Sequence, residues 1–238
     1  MNIALIGYGR MGHEIETISI SRGHLIKLII DQENLSGLNE IGIKGIDVVI
    51  EFTSPDSAFD NIIKCLKMKI PVVSGTTGWL KDYEKVVGVC RENDTSFIHS
   101  TNFSIGVNIL FRLNSELARL MASHREYNPF IEEIHHTKKI DAPSGTAITL
   151  ANAIVNQHPD FTGWDFEGSN DSNQIPVRSV REGIVPGVHT VVWNSDIDTL
   201  SLKHEAKGRK GLALGAVVAA EFISPRKGVF TMNDVLGI

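Results

Sequence analysis

The sequence predicts an α/β protein with a doubly wound parallel sheet, followed by a central α+β domain with a mixed sheet. Three observations predict it. An apolar run, Met1 to Ile6, opens directly into Gly7-Tyr8-Gly9-Arg10-Met11-Gly12. Apolar β-type runs then alternate with helical periodicity as far as Ser100, joined by short turns, the pattern of repeated βα units. Beyond Asn102 one long helical pattern leads into a series of strand-like runs, as in antiparallel or mixed sheets.

The first run lacks polar alternation, as a parallel strand covered on both faces should. In the glycine loop, Gly7 allows the tight turn, Gly9 lets a pyrophosphate approach the backbone, and Gly12 lets the next helix pack on the strand. Phosphates would then rest on free N–H groups at a helix start. A second strand, Leu25 to Ile30, ends in Asp31, about 20 residues past the glycines, where a carboxylate can accept hydrogen bonds from an adenosine ribose. On its own the glycine pattern is an ordinary turn; with the strand before it and Asp31 after it, it reads as the dinucleotide site of a Rossmann-type sheet.

Gln32 to Gly45 is short and polar and can hold only a fragment of an element. Val48 to Phe52 reads as a strand, and Thr53-Ser54-Pro55 as the cap and first turn of a helix whose apolar positions are Ala58, Ile62, Ile63 and Leu66. Pro71 to Ser74 is the next strand, Gly75 to Gly78 a turn, Tyr83 to Arg91 a helix and Ser96 to Ser100 a strand. Gly7, Asp31, Thr53, Gly75 and Thr101 all follow strand ends, where such sheets bind ligands. A helix led by Asn102 to Asn108 should bury a stripe of Leu110, Leu113, Leu117 and Leu120. A strand from Phe130 to His136 and a helix from Thr146 to about Gln157 come next. His158 to Asn173 reads as irregular. Strands are expected at Val177 to Arg181, Thr190 to Asn194 and Thr199 to His204, and a last helix at Leu212 to Ile223.

The 238 residues carry a net charge of −5 without basic runs, which argues against nucleic acid as a partner. No apolar stretch is long enough for a membrane span, and Met1 leads straight into the first strand with no room for a signal peptide. Cys65 and Cys90 lie in helical patterns among apolar neighbours and read as buried reduced thiols, so a cytoplasmic location is expected. His99, His189 and His204 lack the spacing of a zinc site, and no metal is expected.

The segment from Glu133 to Ala147 holds His135, His136, Lys138, Lys139 and the Ser144-Gly145-Thr146 helix start. A proton donor, a cation and free backbone N–H groups in one place suit an anionic substrate that is protonated during reaction. Strand alternation should point His135 and His136 to opposite faces, so one of them serves orientation or a core hydrogen bond.

With Gly7 to Gly12, Gly75 to Gly78 and Thr101 to Asn108, this segment resembles the dihydrodipicolinate reductases of bacterial lysine and diaminopimelate synthesis, in an order that runs through nearly the whole chain. The resemblance implies a dinucleotide domain of residues 1–104 completed by 211–238, and a substrate-binding and oligomerisation domain of residues 105–210 that assembles a homotetramer. It implies NAD(P)H-dependent reduction of the cyclic imine formed from aspartate semialdehyde and pyruvate to tetrahydrodipicolinate, a small dicarboxylate. His135 matches the family's proton donor and Lys139 its second catalytic position, which leaves Lys138 as a surface charge. His136, Ser144, Gly145 and Thr146 would bind a substrate carboxylate. Tyr8, Arg10 and Met11 within the glycine loop, Gly75, Thr76 and Thr77, and Ser100, Thr101, Asn102 and Phe103 would line the cofactor.

Three features depart from many members: a short connection from Asp31 to Val48, a compact glycine loop, and Gln32 where several carry an arginine for the 2′-phosphate of NADPH. Asp31 followed by Gln32 favours NADH over NADPH, with Arg10 able to offset the repulsion of that phosphate. An imine-reducing or amino-acid dehydrogenase acting on another small carboxylate, or a cofactor-binding regulator without turnover, are the competing readings. The second conflicts with the retained His135 and Lys139.

Overall fold

The computed structural model describes residues 1–166 and 171–238, and the chain divides into two compact units, Met1–Ile105 with Arg209–Ile238, and Gly106–Gly208. In chain order the elements are β1 (Asn2–Ile6), α1 (Arg10–Ser21), β2 (Leu25–Ile30), β3 (Val48–Glu51), α2 (Pro55–Lys67), β4 (Val72–Ser74), α3 (Tyr83–Glu92) and β5 (Ser96–His99). There follow α4 (Ile105–Met121), β6 (Asn128–His135), α5 (Gly145–Gln157), β7 (Gly163–Phe166), β8 (Gln174–Arg181), β9 (Val188–Asn194) and β10 (Thr199–Glu205). The chain ends with α6 (Lys210–Ile223), β11 (Gly228–Phe230) and α7 (Met232–Leu236).

The first unit is a six-stranded sheet in the order β11-β5-β4-β3-β1-β2, parallel at every pairing. Alternation along each strand divides its core. Ala4, Ile6, Val49, Val72 and Phe97 pack with Ala58, Ile62 and Leu66 of α2 and Val86 of α3. Ile3, Leu5, Val48, Ile50, Val73 and Ile98 pack with Ile15 of α1 and the alanine-rich face of α6. Burying each such aliphatic side chain stabilises the fold by about 1.5–3 kcal/mol. The C-terminal residues add β11 beside β5, and α7 starts with a Thr231–Asp234 capping box. Gln32 to Gly45 contributes one 3₁₀ turn, Leu35–Gly37. Ser54 stands at the N-cap of α2, yet its hydroxyl meets Ser57 Oγ at 3.0 Å instead of capping a backbone N–H. Cys65 and Cys90 are buried and unpaired, and burial pushes their thiols up to about 12 and about 11.

The second unit is a mixed sheet in the order β10-β9-β6-β8-β7, with β9 antiparallel to β6 and β10, and β8 parallel to β6 and β7. Ile131, Val177, Val191 and Trp193 pack on Ala147, Leu150, Ala151 and Ile154 of α5. Two expectations need correction. Leu113 and Leu120 of α4 are 51% and 53% exposed, because the helix buries Leu110, Asn114 and Ala118 instead. Asn114 is tolerated in that face because its amide donates to the Leu150 carbonyl at 2.9 Å, and hydropathy alone cannot register that bond. Gly163–Phe166, expected to be irregular, adds the edge strand β7 beside β8; the rest of that stretch from 167 to 170 lies outside the described residues.

Candidate functional site

At the carboxyl end of β1, Gly7 adopts φ +93°, and a Cβ there would stand 2.0 Å from the Phe52 carbonyl oxygen. A Cβ on Gly12 would stand 2.5 Å from the Gly7 oxygen, whereas one on Gly9 would meet nothing within 4 Å. The first and third glycines are therefore demanded by the fold, and the second leaves the open approach that a pyrophosphate requires. Gly9 is also the N-cap of α1, whose first turn, with Arg10 and Met11, has no acidic residue to repel an anion. Tyr8 stacks on His13 with ring centroids 4.0 Å apart, and its hydroxyl bonds Glu16. Asp31 is partly exposed just past β2, with Oδ1 accepting the Glu33 N–H at 2.9 Å.

The loops after β3 and β4 are tied together by Glu51, which is fully buried at the end of β3. Its Oε1 accepts the Thr53 N–H (3.0 Å), the Thr53 hydroxyl and the Thr76 hydroxyl (2.7 Å), while Oε2 accepts the Ser74 hydroxyl (2.6 Å). Of the expected cofactor pair, Thr76 is thus buried in scaffolding, its carbonyl also accepting from Trp79 Nε1, while Thr77 is exposed. Gly75 is required, since a Cβ there would lie 2.2 Å from the Phe52 ring. Beyond β5, the Ser100 hydroxyl donates to the Asn102 carbonyl and accepts the Asn102 N–H, Thr101 is exposed, and the Phe103 ring is 1% exposed in the core. Any cofactor contact from Phe103 is left to its backbone.

In the second unit one face of β6 changes chemistry along its length. Ile131 is apolar, and the next two residues on that face, Glu133 and His135, are polar and buried. Register places Ser179 of β8 and His189 of β9 on either side of Glu133, and Arg181 beside His135. Glu133 Oε1 accepts the Ser144 N–H (3.0 Å), the Ser179 hydroxyl (2.6 Å) and an Arg181 N–H (3.3 Å). Oε2 has no hydrogen bond, and both His135 Nδ1 and His189 Nε2 lie 3.5 Å from it. Burial alone would raise the Glu133 carboxyl, but the facing His189 and the bonds from Ser144 and Ser179 outweigh it and hold the group well below the usual carboxylate range. Burial lowers His135 to about 4, against the attraction of Glu133 and with help from the charges of His189, Lys139 and Arg181.

His136 lies just past β6 and is half-buried, and Lys138 is exposed. Lys139 Nζ bonds both oxygens of Asp141 (2.8 and 2.7 Å), and Arg181 holds the same segment by donating to the Lys139 and Asp141 carbonyls. Ser144 caps α5 by accepting the Ala147 N–H, and its hydroxyl lies 3.1 Å from His189 Nε2. Its side chain is buried and engaged, whereas Gly145 is exposed and Thr146 half-buried. Glu133 and Arg181 were not singled out in the sequence, and His189 was weighed there only as a metal ligand and set aside. For Glu133 a signal existed, since it stands two residues before His135 and so shares its strand face; the others depend on register. Glu133, His135 and His189 bring their donor atoms within 4.8 Å of one another, a closeness explained by two imidazoles facing one carboxylate oxygen.

Comparison with known proteins agrees with both halves of this description. Residues 1–103 match the family model of the dihydrodipicolinate reductase N-terminus, and residues 106–236 that of its C-terminus. The chain is 52% identical over 238 residues to a 4-hydroxy-tetrahydrodipicolinate reductase of Christiangramia forsetii, covering 99% of this chain and 98% of that one. It is 32% identical, with the same coverage, to the protein of that name from Thermosipho africanus. The dipicolinate-bound dihydrodipicolinate reductase from Paenisporosarcina shares the fold, with a TM-score of 0.81 over 97% of each chain at 22% identity. With both halves matched and relatives aligned from end to end, the chain belongs to the dihydrodipicolinate reductase family of NAD(P)H-dependent oxidoreductases.

Proposed function

We propose that the chain carries out the 4-hydroxy-tetrahydrodipicolinate reductase reaction with His135 as proton donor and with Lys139, His136 and the start of α5 holding a substrate carboxylate. NAD(P)H, when bound along the glycine loop, supplies the hydride. The electron-rich enamine left in the substrate ring then needs a proton at the neighbouring carbon, and imidazole is suited to give it. The observation that carries this reading is that one carboxylate, Glu133, takes the N–H of Ser144 just before α5 while facing His135 Nδ1. The acid and the anion cradle of Gly145 and Thr146 N–H groups are thereby held in one frame. A dianionic substrate adds negative charge beside His135 and raises its affinity for the proton it must donate. Lys139 meets the substrate by exchanging Asp141 for the incoming carboxylate. The dipicolinate in the Paenisporosarcina relative is a planar dicarboxylate of the kind expected here.

For the cofactor, Asp31 followed by exposed Gln32 and Glu33 rather than by a cation supports NADH over NADPH. Family resemblance supports a homotetramer, and the sheet face opposite α5, where Phe130 is 38% exposed, suits such an interface. No helix among the described residues is long and apolar enough to cross a membrane. The buried unpaired Cys65 and Cys90 support a cytoplasmic setting. The test is oxidation of NADH and NADPH, in parallel, by freshly condensed aspartate semialdehyde and pyruvate. His135→Gln should lower turnover by about 100-fold or more with cofactor affinity unchanged. Near wild-type turnover would remove His135 from the acid role.

A further inference from the structure

We propose that Glu133 is the positioning residue of the proton donor: its Oε2 keeps a proton on His135 Nδ1, so that Nε2 is the nitrogen presented to substrate. This rests on the reading of His135 as the acid. Three observations carry it. Nδ1 is buried without a hydrogen bond and 3.5 Å from Oε2, itself buried without a partner. The Nε2 edge faces Gly187, where a Cβ would stand 3.0 Å from that nitrogen, so the absence of a side chain at residue 187 keeps that edge uncrowded. Oε1 is occupied by the Ser144 N–H, the Ser179 hydroxyl and Arg181, which fix the carboxylate plane and leave only Oε2 to serve the imidazole.

The charges around His135 are distributed accordingly. Glu133 on its own strand favours the imidazolium, while His189 from β9, Arg181 from β8 and Lys139 from the following loop disfavour it. The one carboxylate among these groups faces Nδ1. The hydride's electron pair makes the new C–H bond and displaces the conjugated π pair of the imine, and that enamine pair takes the proton at the neighbouring ring carbon as the Nε2–H bond breaks. The neutral imidazole that remains carries its proton on Nδ1, against Oε2. A carboxylate that accepts a hydrogen bond from this N–H steadies the imidazolium before transfer and orients the neutral ring after it.

Glu133→Gln separates position from packing. Ser144 N–H and Arg181 can only donate, so the amide must turn its oxygen to the Oε1 site and its NH₂ group to His135 and His189. Nδ1 is then forced to accept, and the neutral proton moves to Nε2. The experiment is ¹⁵N-histidine NMR of the NADH-bound protein, with His135 assigned from its loss in His135→Gln, alongside pH profiles of kcat and KM. The wild type should show the Nδ1–H tautomer. Glu133→Gln should show Nε2–H, a kcat reduced about 30-fold or more with NADH affinity within about twofold, and an acid-group pKa lowered by about one unit. Glu133→Asp should retain part of the profile. A wild-type Nε2–H tautomer, or an unaltered profile in Glu133→Gln, overturns the proposal. The wild-type tautomer decides even if Glu133→Gln does not fold. Active His135→Gln instead overturns the acid assignment, a result distinct from inactive His135→Gln beside unaltered Glu133→Gln.

Discussion

Each unit of this chain gathers its loops around a buried glutamate, and the two carboxylates differ in what they leave open. Glu51 in the dinucleotide unit has both oxygens filled, by Thr53, Thr76 and Ser74. Glu133 in the second unit has Oε1 filled and Oε2 turned toward two histidines. A carboxylate with both oxygens engaged by local donors holds those donors in place. One with an oxygen left over can respond when a neighbouring ring gains or loses a proton. Burial is the same in both, so the distinction lies in how many donors each strand end supplies.

The largest effect should come from removing the filled carboxylate. Glu51→Ala leaves the Thr53, Ser74 and Thr76 hydroxyls without their acceptor inside the first unit, the Thr53 N–H keeping the Thr76 hydroxyl at 2.8 Å, and we expect a loss of about 3 kcal/mol in denaturant titration, with NADH binding lost as well. Glu51→Gln should be much milder, because the Ser74 hydroxyl can rotate to accept from an amide placed at the Oε2 site. Turnover close to wild type in Glu51→Gln beside a deep loss in Glu133→Gln would sharpen the contrast. Equal losses in both would break it.

Next in size is Gly187→Ala. The new methyl group would stand 3.0 Å from His135 Nε2, tight enough that the ring must give way by a few tenths of an ångström. Because Gly187 has φ +158°, an alanine there also strains the backbone by about 1 kcal/mol, and a kcat lowered about tenfold with unchanged NADH affinity is the expected effect beyond that loss of stability. A loss confined to stability would mean that the edge beside Gly187 serves packing alone.

The pH dependence of stability should be smaller and shared. Burial lowers His135 to about 4, and it also lowers His204 in the second unit and His99 in the first. A depressed histidine takes up its proton in the unfolded chain before the folded one. Stability is therefore full above the unfolded value near 6.5 and falls as pH drops from there toward about 4. Glu133, held low by its hydrogen bonds, keeps its full contribution down to the ordinary carboxylate value of 4.5 and loses it progressively in stronger acid. Melting temperatures measured from pH 7 to pH 4 should decline across the window, and His204→Gln should flatten the decline. A level curve would show that the folded histidines protonate as easily as free ones.

The dinucleotide unit was more legible than the second because its rules are local. A glycine that must have no Cβ, an acidic residue at a strand end and a proline opening a helix are each read from a few neighbouring residues. Gly7, Gly12, Asp31 and Pro55 stand where those rules put them. In the second unit the Ser144 cap is local too, and it stands where it was expected. Ser179, Arg181 and His189 reach Glu133 only through the pairing of β8 and β9 with β6, across 46 to 56 positions of chain, which no periodicity reveals. Leu113 and Leu120 mislead for the same reason, since the hydrogen bond that makes Asn114 a core residue ends on another helix. Phe103 shows the converse: its motif suggests the cofactor, and its side chain is core.

The smallest effect expected is the one that tests selectivity, and it isolates the first unit from the second. Gln32 is exposed next to Asp31, whose Oδ1 is held by the Glu33 N–H, so a cation at position 32 would stand beside a carboxylate already fixed in place. Gln32→Arg should raise kcat/KM for NADPH relative to NADH by several-fold, on the order of 1 kcal/mol, by pairing with the 2′-phosphate. The tautomer and pH profile of His135 should not move, because the Asp31 loop belongs to the first unit and the Glu133 cluster to the second. An unchanged cofactor ratio would remove Gln32 from selectivity and leave Arg10 as the group that offsets Asp31. A change in the His135 profile would show that cofactor choice and proton donation are coupled, contrary to the division of work between the two glutamates.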